Sequence, residues 1–156
     1  MTFDSRKRVM EFYLPAERHL IHDVRKRFEE FITPYRLPSD EVEWIKVAVS
    51  EACTNAVCHG SPAGSSNRVK VRCELDSETL AVEVCDQGGG FVPETIELPD
   101  FDEWKPSGRG LVIMQSVMDD VSFEPRDDGT CVRMVKYLRG LLPTAEAEPQ
   151  ECRADR

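Results

Sequence analysis

The order of hydrophobic patterns along the chain is the feature that most restricts its fold. Two segments with helical spacing of apolar residues, 15–31 and 39–59, occupy the first part of the chain, and a third begins near residue 107. The other apolar segments alternate with polar residues, which is typical of strands. These strand patterns cover 9–14, 68–75, 80–85, 121–125 and 130–138.

The last four strands form two hairpins, because only a short turn separates the members of each pair and a short turn joins antiparallel strands. Strands and helices do not alternate along the chain, which argues against a Rossmann fold. We therefore predict an α+β fold, a two-layer α/β sandwich. Its sheet is expected to be mixed but mostly antiparallel, with helices covering one face.

The length of 156 residues corresponds to about one domain. We predict a single domain over residues 1–139. Within it, the segment of about 91–107 is rich in proline and acidic residues and is expected to act as a lid. Residues 140–156 lack periodicity and are predicted to form a mobile tail.

The charge balance limits the partners of the chain. With 20 Lys and Arg against 29 Asp and Glu, the net charge is −9. Nucleic acids and anionic membranes are bound by clustered cations, so neither is expected as a partner. The chain has no secretory leader and no apolar run of about 20 residues, which predicts a cytoplasmic protein.

The six cysteines form no Cys-x-x-Cys pair. Cys73, Cys85 and Cys131 lie in strand patterns, and Cys53 and Cys58 lie on the second helix. We expect buried, reduced thiols. A zinc site that uses His59 is the alternative.

Three polar residues, Glu51, Asn55 and His59, share one stripe of the second helix because they are spaced four residues apart. The neighbouring alanines would let a ligand approach this stripe closely. A carboxylate beside a carboxamide suits a general base next to a Mg²⁺ ligand. A solvated helix face is the alternative interpretation.

Glycine-rich motifs follow at two places. Asp86-x-Gly88-x-Gly90 ends a strand, where the acid could accept a hydrogen bond from an exocyclic amine; a simple turn is the alternative. The run 107–110, Ser-Gly-Arg-Gly, precedes a helix, and its amides could bind an anion there. A flexible hinge explains this run equally well, and the later pair at 129–130 fits an ordinary hairpin turn.

Taken together, these motifs resemble a known ATP-binding fold. Their order is Glu-x-x-x-Asn-x-x-x-His, Asp-x-Gly-x-Gly, an acidic segment, Gly-x-Gly-Leu and Gly-Thr. This order is similar to that of the Bergerat fold shared by gyrase, Hsp90, histidine kinases and MutL. Residues 48–56 and 110–121 narrow the resemblance to the anti-sigma-factor serine/threonine kinases of bacterial partner-switching systems, over about residues 9–138.

The resemblance implies a role for each matching residue. Glu51 corresponds to the general base that takes the proton of a serine or threonine hydroxyl. Asn55 corresponds to the Mg²⁺ ligand that holds the ATP phosphates, and Asp86 to the acid that recognises the adenine amino group. The other implied nucleotide contacts are Gly88, Gly90, Gly108, Gly110 and Thr130. Arg109 is a candidate phosphate contact that neither spacing nor resemblance fixes, and His59 is assigned a structural role.

The function implied by the resemblance is that of an ATP- and Mg²⁺-dependent protein kinase. Such a protein binds a sigma factor in one state and phosphorylates a STAS-type anti-anti-sigma partner in another. A homodimer is also implied, with strand 9–14 as a candidate edge. Two alternatives stay open: a non-catalytic ATP-binding interaction module, and a detached histidine-kinase catalytic domain. The second is disfavoured because the chain lacks room for a phosphoacceptor helix pair.

Overall fold

The structure is a computed structural model that describes residues 7–88 and 109–139. The described part contains five strands and three α-helices, which confirms the predicted α+β class. The predicted lid, about 91–107, and the predicted tail, 140–156, lie outside the described residues. In chain order the elements are β1 Arg8–Pro15, α1 Ile21–Ile32, α2 Ser39–Cys58, β2 Arg68–Leu75, β3 Thr79–Cys85, α3 Arg109–Val117, β4 Asp120–Arg126 and β5 Gly129–Tyr137.

The strands form one sheet in the order β1-β2-β3-β5-β4. Every neighbouring pair among the described strands is antiparallel. The prediction of a mostly antiparallel sheet is therefore confirmed, but the predicted parallel component is absent from these strands. Strands β3 and β5 are adjacent although α3 and β4 lie between them in sequence. Asp86 is thereby brought opposite the start of β5.

The three helices cover one face of this sheet. The apolar stripe of α1 contributes Val24 and Phe28 to the core, and α2 contributes Ile45 and Val49. These side chains pack against alternate residues of β2 and β3, as expected for a two-layer sandwich. Helix α2 also contacts α3, and the start of α3 lies beside the C-terminal half of α2.

The opposite face of the sheet carries charged side chains in register. Arg72 forms ion pairs with Glu11 at 2.7 Å and with Glu74 at 2.8 Å. Its hydrogen bond lowers the pKa of Glu11. On the same face, near the edge formed by β4, Arg126 Nη2 lies 3.5 Å from Glu83 Oε1. Cross-strand pairs of opposite charge keep this face polar.

The first helix begins later than predicted. Pro15 does not open it but is the last residue of β1, paired with Arg68. The N–H of Ala16 donates to the carbonyl oxygen of Asn67, so sheet pairing extends to this point. A 3-10 turn follows, and α1 starts at Ile21. Helix α2 begins at Ser39, as predicted, and its N-cap residue is Pro38.

The prediction of buried, reduced cysteines is confirmed for Cys53 and Cys73, whose burial raises the pKa of each thiol to about 12. It is wrong for Cys58, which is exposed. It is also wrong for Cys85 and Cys131, which form a disulfide. The reason is the register of β3 and β5, which places these two residues directly opposite each other with their Cα atoms 4.0 Å apart.

No helix within residues 7–88 and 109–139 has the length and apolar character needed to cross a membrane.

Candidate functional site

The C-terminal half of α2 presents Glu51 and Asn55, the two residues that the sequence predicts at the reacting centre. Both side chains are half-buried, and the alanines beside them, Ala52 and Ala56, are buried in the core. The helical spacing explains this arrangement, since residues four apart project from the same stripe. Glu51 and Asn55 lie within α2, whereas His59, the third residue of the predicted stripe, is the C-cap of the helix.

Gly110 in the first turn of α3 lies directly against these two side chains. A β-carbon at Gly110 would lie 2.9 Å from Oε2 of Glu51 and 3.4 Å from Nδ2 of Asn55. The smallest side chain thus lets the start of α3 approach the carboxylate and the carboxamide. Arg109 is the first residue of α3, while Gly108 lies outside the described residues.

Asp86 follows β3 directly and is held by backbone N–H groups. Its Oδ1 atom accepts hydrogen bonds from the N–H of Gly88 and from the N–H of Thr130, each at 3.0 Å. The N–H of Asp86 itself donates to the carbonyl oxygen of Thr130 at 2.9 Å. Two donors on one oxygen fix the plane of the carboxyl group and leave Oδ2 as the atom available to a ligand.

Three glycines pack around Asp86. A β-carbon at Gly60 would lie 2.1 Å from Oδ2 of Asp86, and one at Gly129 would lie 2.0 Å from its carbonyl oxygen. A β-carbon at Gly88 would lie 2.2 Å from the carbonyl oxygen of Gly60. A larger residue at Gly60 would have to displace the side chain of Asp86, and one at Gly88 or Gly129 would have to displace neighbouring backbone.

Burial raises the pKa of the Asp86 carboxyl group, and the nearby Asp128 raises it further. The hydrogen bonds from the backbone of Gly88 and Thr130 act in the opposite direction. A carboxylate that is partly removed from water and held in a fixed orientation is suited to accept a hydrogen bond from a ligand.

The last turn of α2 connects the two groups of residues. The carbonyl oxygen of Asn55 accepts hydrogen bonds from the N–H of His59 at 2.9 Å and from the N–H of Gly60 at 3.1 Å. Asn55 therefore faces Gly110 with its side chain and helps to hold Gly60 beside Asp86 with its backbone. His59 is exposed at the helix end and, within the described residues, joins no cluster of metal-ligand side chains.

The structure thus brings together most of the predicted site residues. Glu51 and Asn55 meet Gly110, and Asp86 meets Gly88 and Thr130. Arg109 precedes Gly110 in α3 and so lies next to the group formed by Glu51, Asn55 and Gly110. Gly90 lies outside the described residues. Sequence reasoning missed Gly60 as a residue that shapes the site, and it considered Gly129 only as part of the Gly-Thr motif.

A glycine directly after the second predicted helix is visible in the sequence, but its position suggests a helix cap and not a contact with the site. The position after a helix predicts a left-handed glycine cap. The described glycines with positive φ are Gly64 and Gly129, so Gly60 does not have this conformation. The side chain of Asp86 is the reason that a glycine is required there.

Comparison with known proteins identifies the family of the chain. The family described as "Histidine kinase-like ATPase domain" matches residues 14–136. The serine-protein kinase RsbW of Bacillus velezensis is 34% identical over 140 residues, which cover 84% of this chain and 86% of that protein. The anti-sigma F factor of Bacillus subtilis is 34% identical over 113 residues, or 69% of this chain and 77% of that protein.

A solved structure with the same fold contains the RsbU and RsbW domains of a Mycobacterium tuberculosis protein. It has a TM-score of 0.62 and 18% identity, and the match covers 83% of this chain and 32% of that structure. At this identity the likeness concerns the fold. The match of the family over most of the domain, together with relatives above 30% identity, shows that this chain belongs to the histidine kinase-like ATPase family.

Proposed function

We propose that the chain is an ATP- and Mg²⁺-dependent serine/threonine protein kinase that acts as an anti-sigma factor. The observation that carries the proposal is that Gly110 of α3 lies against both Glu51 and Asn55 of α2. The last turn of α2 in turn holds Gly60 beside Asp86. A base, an oxygen ligand and a carboxylate that could read a nucleobase are thereby assembled around one helix.

Asp86 is the proposed adenine-recognition residue. Its Oδ1 is occupied by two backbone N–H groups, which leaves Oδ2 to accept a hydrogen bond from the exocyclic amino group. Thr130 is buried beside it, with only 4% of its surface exposed. The lack of side chains at Gly60 and Gly88 lets Gly60 pack directly against the Asp86 carboxyl group and lets Gly88 pack against the backbone of Gly60.

Asn55 is the proposed Mg²⁺ ligand. Its carboxamide oxygen and the carboxylate of Glu51 are the donor type that Mg²⁺ prefers, so the residues present fit the ion. When bound, Mg²⁺ would neutralise negative charge on the phosphate groups. The first N–H groups of α3, which Arg109 and Gly110 supply, could bind phosphate oxygens at the helix N-terminus.

Glu51 is the proposed general base. Its carboxylate would take the proton of a serine or threonine hydroxyl on the protein substrate as the hydroxyl oxygen attacks the γ-phosphorus. The bond between this phosphorus and the β–γ bridging oxygen breaks, and its electrons leave with ADP. Helix α2 holds Glu51 rigidly because the buried alanines and valines on its other side are part of the core.

The proposed partners rest on the names of the relatives and on the motif resemblance. One is called a serine-protein kinase and another an anti-sigma F factor. We infer a STAS-type anti-anti-sigma protein as phosphoryl acceptor, a sigma factor as the second partner, and a homodimer. The net charge of −9 suits a sigma factor with basic, DNA-facing surfaces.

The test is incubation of the full chain with γ-labelled ATP, Mg²⁺ and candidate STAS-type proteins from the same organism. The expected result is label on a serine or threonine of one candidate, and loss of the label when Mg²⁺ is chelated. Nucleotide binding without a labelled product for any candidate would favour a non-catalytic module instead. Absence of nucleotide binding would contradict both.

A further inference from the structure

The disulfide between Cys85 and Cys131 lies directly behind the proposed adenine-recognition residue. The two cysteines are the last pair of the β3–β5 ladder, and Asp86 and Thr130 are the next residues along the two chains. Side chains alternate between the faces of a sheet, so the disulfide lies on the face opposite to the Asp86 carboxylate. It joins covalently the two backbone segments that orient this carboxylate.

The surroundings of the disulfide differ from those of the two buried free cysteines, Cys53 and Cys73, which belong to the core. Among the described residues no helix covers this face, and neither Cys85 nor Cys131 belongs to the helix-covered core. Glu83 Oε1 lies 3.4 Å from Cys85 Sγ, so a reduced Cys85 would find a hydrogen-bond acceptor already in place. Both residues are buried, and Cys85, which is 9% exposed, is more exposed than Cys131, which is 1% exposed.

We propose that Cys85 and Cys131 form a reversible thiol–disulfide modification site that controls nucleotide affinity. This inference rests on the proposed function, because Asp86 is taken as the residue that binds adenine. The reaction partner is a dithiol, either a small molecule or the dithiol of another protein.

The exchange proceeds in two balanced steps. A thiolate of the dithiol attacks Cys85 Sγ, the Cys85–Cys131 bond breaks, and the Cys131 thiolate takes up a proton. The second thiol of the reductant then attacks the mixed disulfide and releases Cys85. Two electrons and two protons pass to the protein, and the reductant leaves as its own disulfide.

Reduction is expected to affect the site because it removes the covalent bond that joins β3 and β5 at the end of their ladder. The Cys85–Cys131 pair is the last pair of the β3–β5 ladder, and beyond it the two strands are joined by the backbone bond from the N–H of Asp86 to the carbonyl oxygen of Thr130. Strand ends open more easily than strand centres. Opening there would disturb the hydrogen bonds from Thr130 and Gly88 that fix Asp86. We expect reduction to weaken ATP binding by about three- to tenfold.

The experiment compares ATP affinity of the full chain after mild oxidation and after treatment with dithiothreitol. Alkylation followed by peptide mass mapping reports the state of each cysteine. The test variant is Cys85→Ala/Cys131→Ala, and the matched control is Cys58→Ser, which changes an exposed cysteine of α2. Circular dichroism verifies that each protein is folded, and the wild type in its two forms supplies the comparison without a mutation.

Tighter binding by the oxidised wild type and the oxidised Cys58→Ser protein would support the proposal, provided that the double variant binds weakly under both conditions. Equal affinity in both redox states would overturn it and leave the proposed function standing. Failure of the disulfide to form, or redox dependence that persists in the double variant, would also overturn it. Lack of ATP binding in every form, with the disulfide cycling normally, would instead contradict the proposed function.

Discussion

The backbone N–H of Thr130 donates to Oδ1 of Asp86 across the β3–β5 ladder at 3.0 Å, while the N–H of Asp86 donates to the carbonyl oxygen of Thr130 at 2.9 Å. The acid at the end of β3 is thus oriented by the strand that arrives 44 residues later. The orientation of the carboxyl group therefore depends on the pairing of β3 with β5.

Asp86→Asn is expected to keep the fold and to lose adenine recognition. The asparagine oxygen can accept the two backbone hydrogen bonds, but its NH₂ group then faces the adenine amino group, and two donors cannot bond. Loss of one charge-assisted hydrogen bond should weaken ATP binding by about 10- to 100-fold. Calorimetric titration with ATP measures the effect. GTP should lose much less affinity, because the amide can donate to its carbonyl oxygen.

The matched control is Asp76→Asn. Asp76 also accepts two backbone N–H groups, from Glu78 and Thr79, but in the turn between β2 and β3. ATP affinity should be unchanged in this variant. If Asp76→Asn and Asp86→Asn weaken binding equally, loss of stability and not loss of a ligand contact explains the effect.

The raised pKa of Asp86 predicts that ATP affinity falls as the pH decreases through that pKa, because the protonated carboxyl group no longer offers Oδ2 as a charged acceptor. Titration of ATP itself is subtracted by comparing wild type with Asp86→Asn at each pH. An identical pH dependence in the two proteins would exclude Asp86 as the titrating group.

Stability should respond to the same ionisation in the opposite direction. The folded state holds the Asp86 proton more tightly than the unfolded state, so this group stabilises the fold below its unfolded pKa. The contribution is lost as the pH rises through the folded pKa. Chemical denaturation should therefore show the wild type losing stability relative to Asp86→Asn over this range. A gain relative to that variant would show that the pKa is lowered instead.

Gly60→Ala and Gly64→Ala should separate binding from stability. A β-carbon at Gly60 meets Oδ2 of Asp86 at 2.1 Å, so alanine displaces the carboxyl group and should abolish most ATP binding. Gly64 has a φ of +60° with nothing within 4 Å of its β-carbon, so alanine there should cost about 1 kcal/mol of unfolding free energy and leave ATP affinity intact. Full ATP affinity in Gly60→Ala would refute the described packing.

Gly110→Ala should reduce phosphoryl transfer without reducing stability. Alanine is the better helix former by roughly 1 kcal/mol. Its β-carbon would however press against Oε2 of Glu51, 2.9 Å away, and turn the carboxylate from its position. The melting temperature and the rate of transfer measure the two effects, with Gln115→Ala on the exposed side of α3 as control. Transfer at the wild-type rate in Gly110→Ala would mean that the position of Glu51 does not limit the reaction.

Local patterns were sufficient to predict the parts of the site that lie on one element. Glu51 and Asn55 share a face because helical spacing requires it, and Asp86 was placed correctly because the strand pattern ends at Cys85. Gly60, by contrast, owes its role to Asp86, which lies in a different element. No local pattern contains that information.

The same limit explains two other errors. The Cys85–Cys131 disulfide depends on a register that forms only when β5 pairs with β3, across 46 residues of sequence. The late start of α1 depends on the bond between Ala16 and Asn67, which extends the pairing of β1 beyond Pro15. In each case a tertiary contact decided what the local sequence left open.

The central claim is that Glu51 acts as the base in a phosphoryl transfer from ATP. It is tested most directly by Glu51→Ala, with Glu43→Gln on the same helix, whose side chain is 62% exposed, as control. ATP affinity and the rate of transfer to a STAS-type partner are measured on each protein. The account predicts that Glu51→Ala binds ATP like the wild type but transfers phosphate at least about 100-fold more slowly, while Glu43→Gln is unchanged. Transfer at the wild-type rate in Glu51→Ala would contradict it.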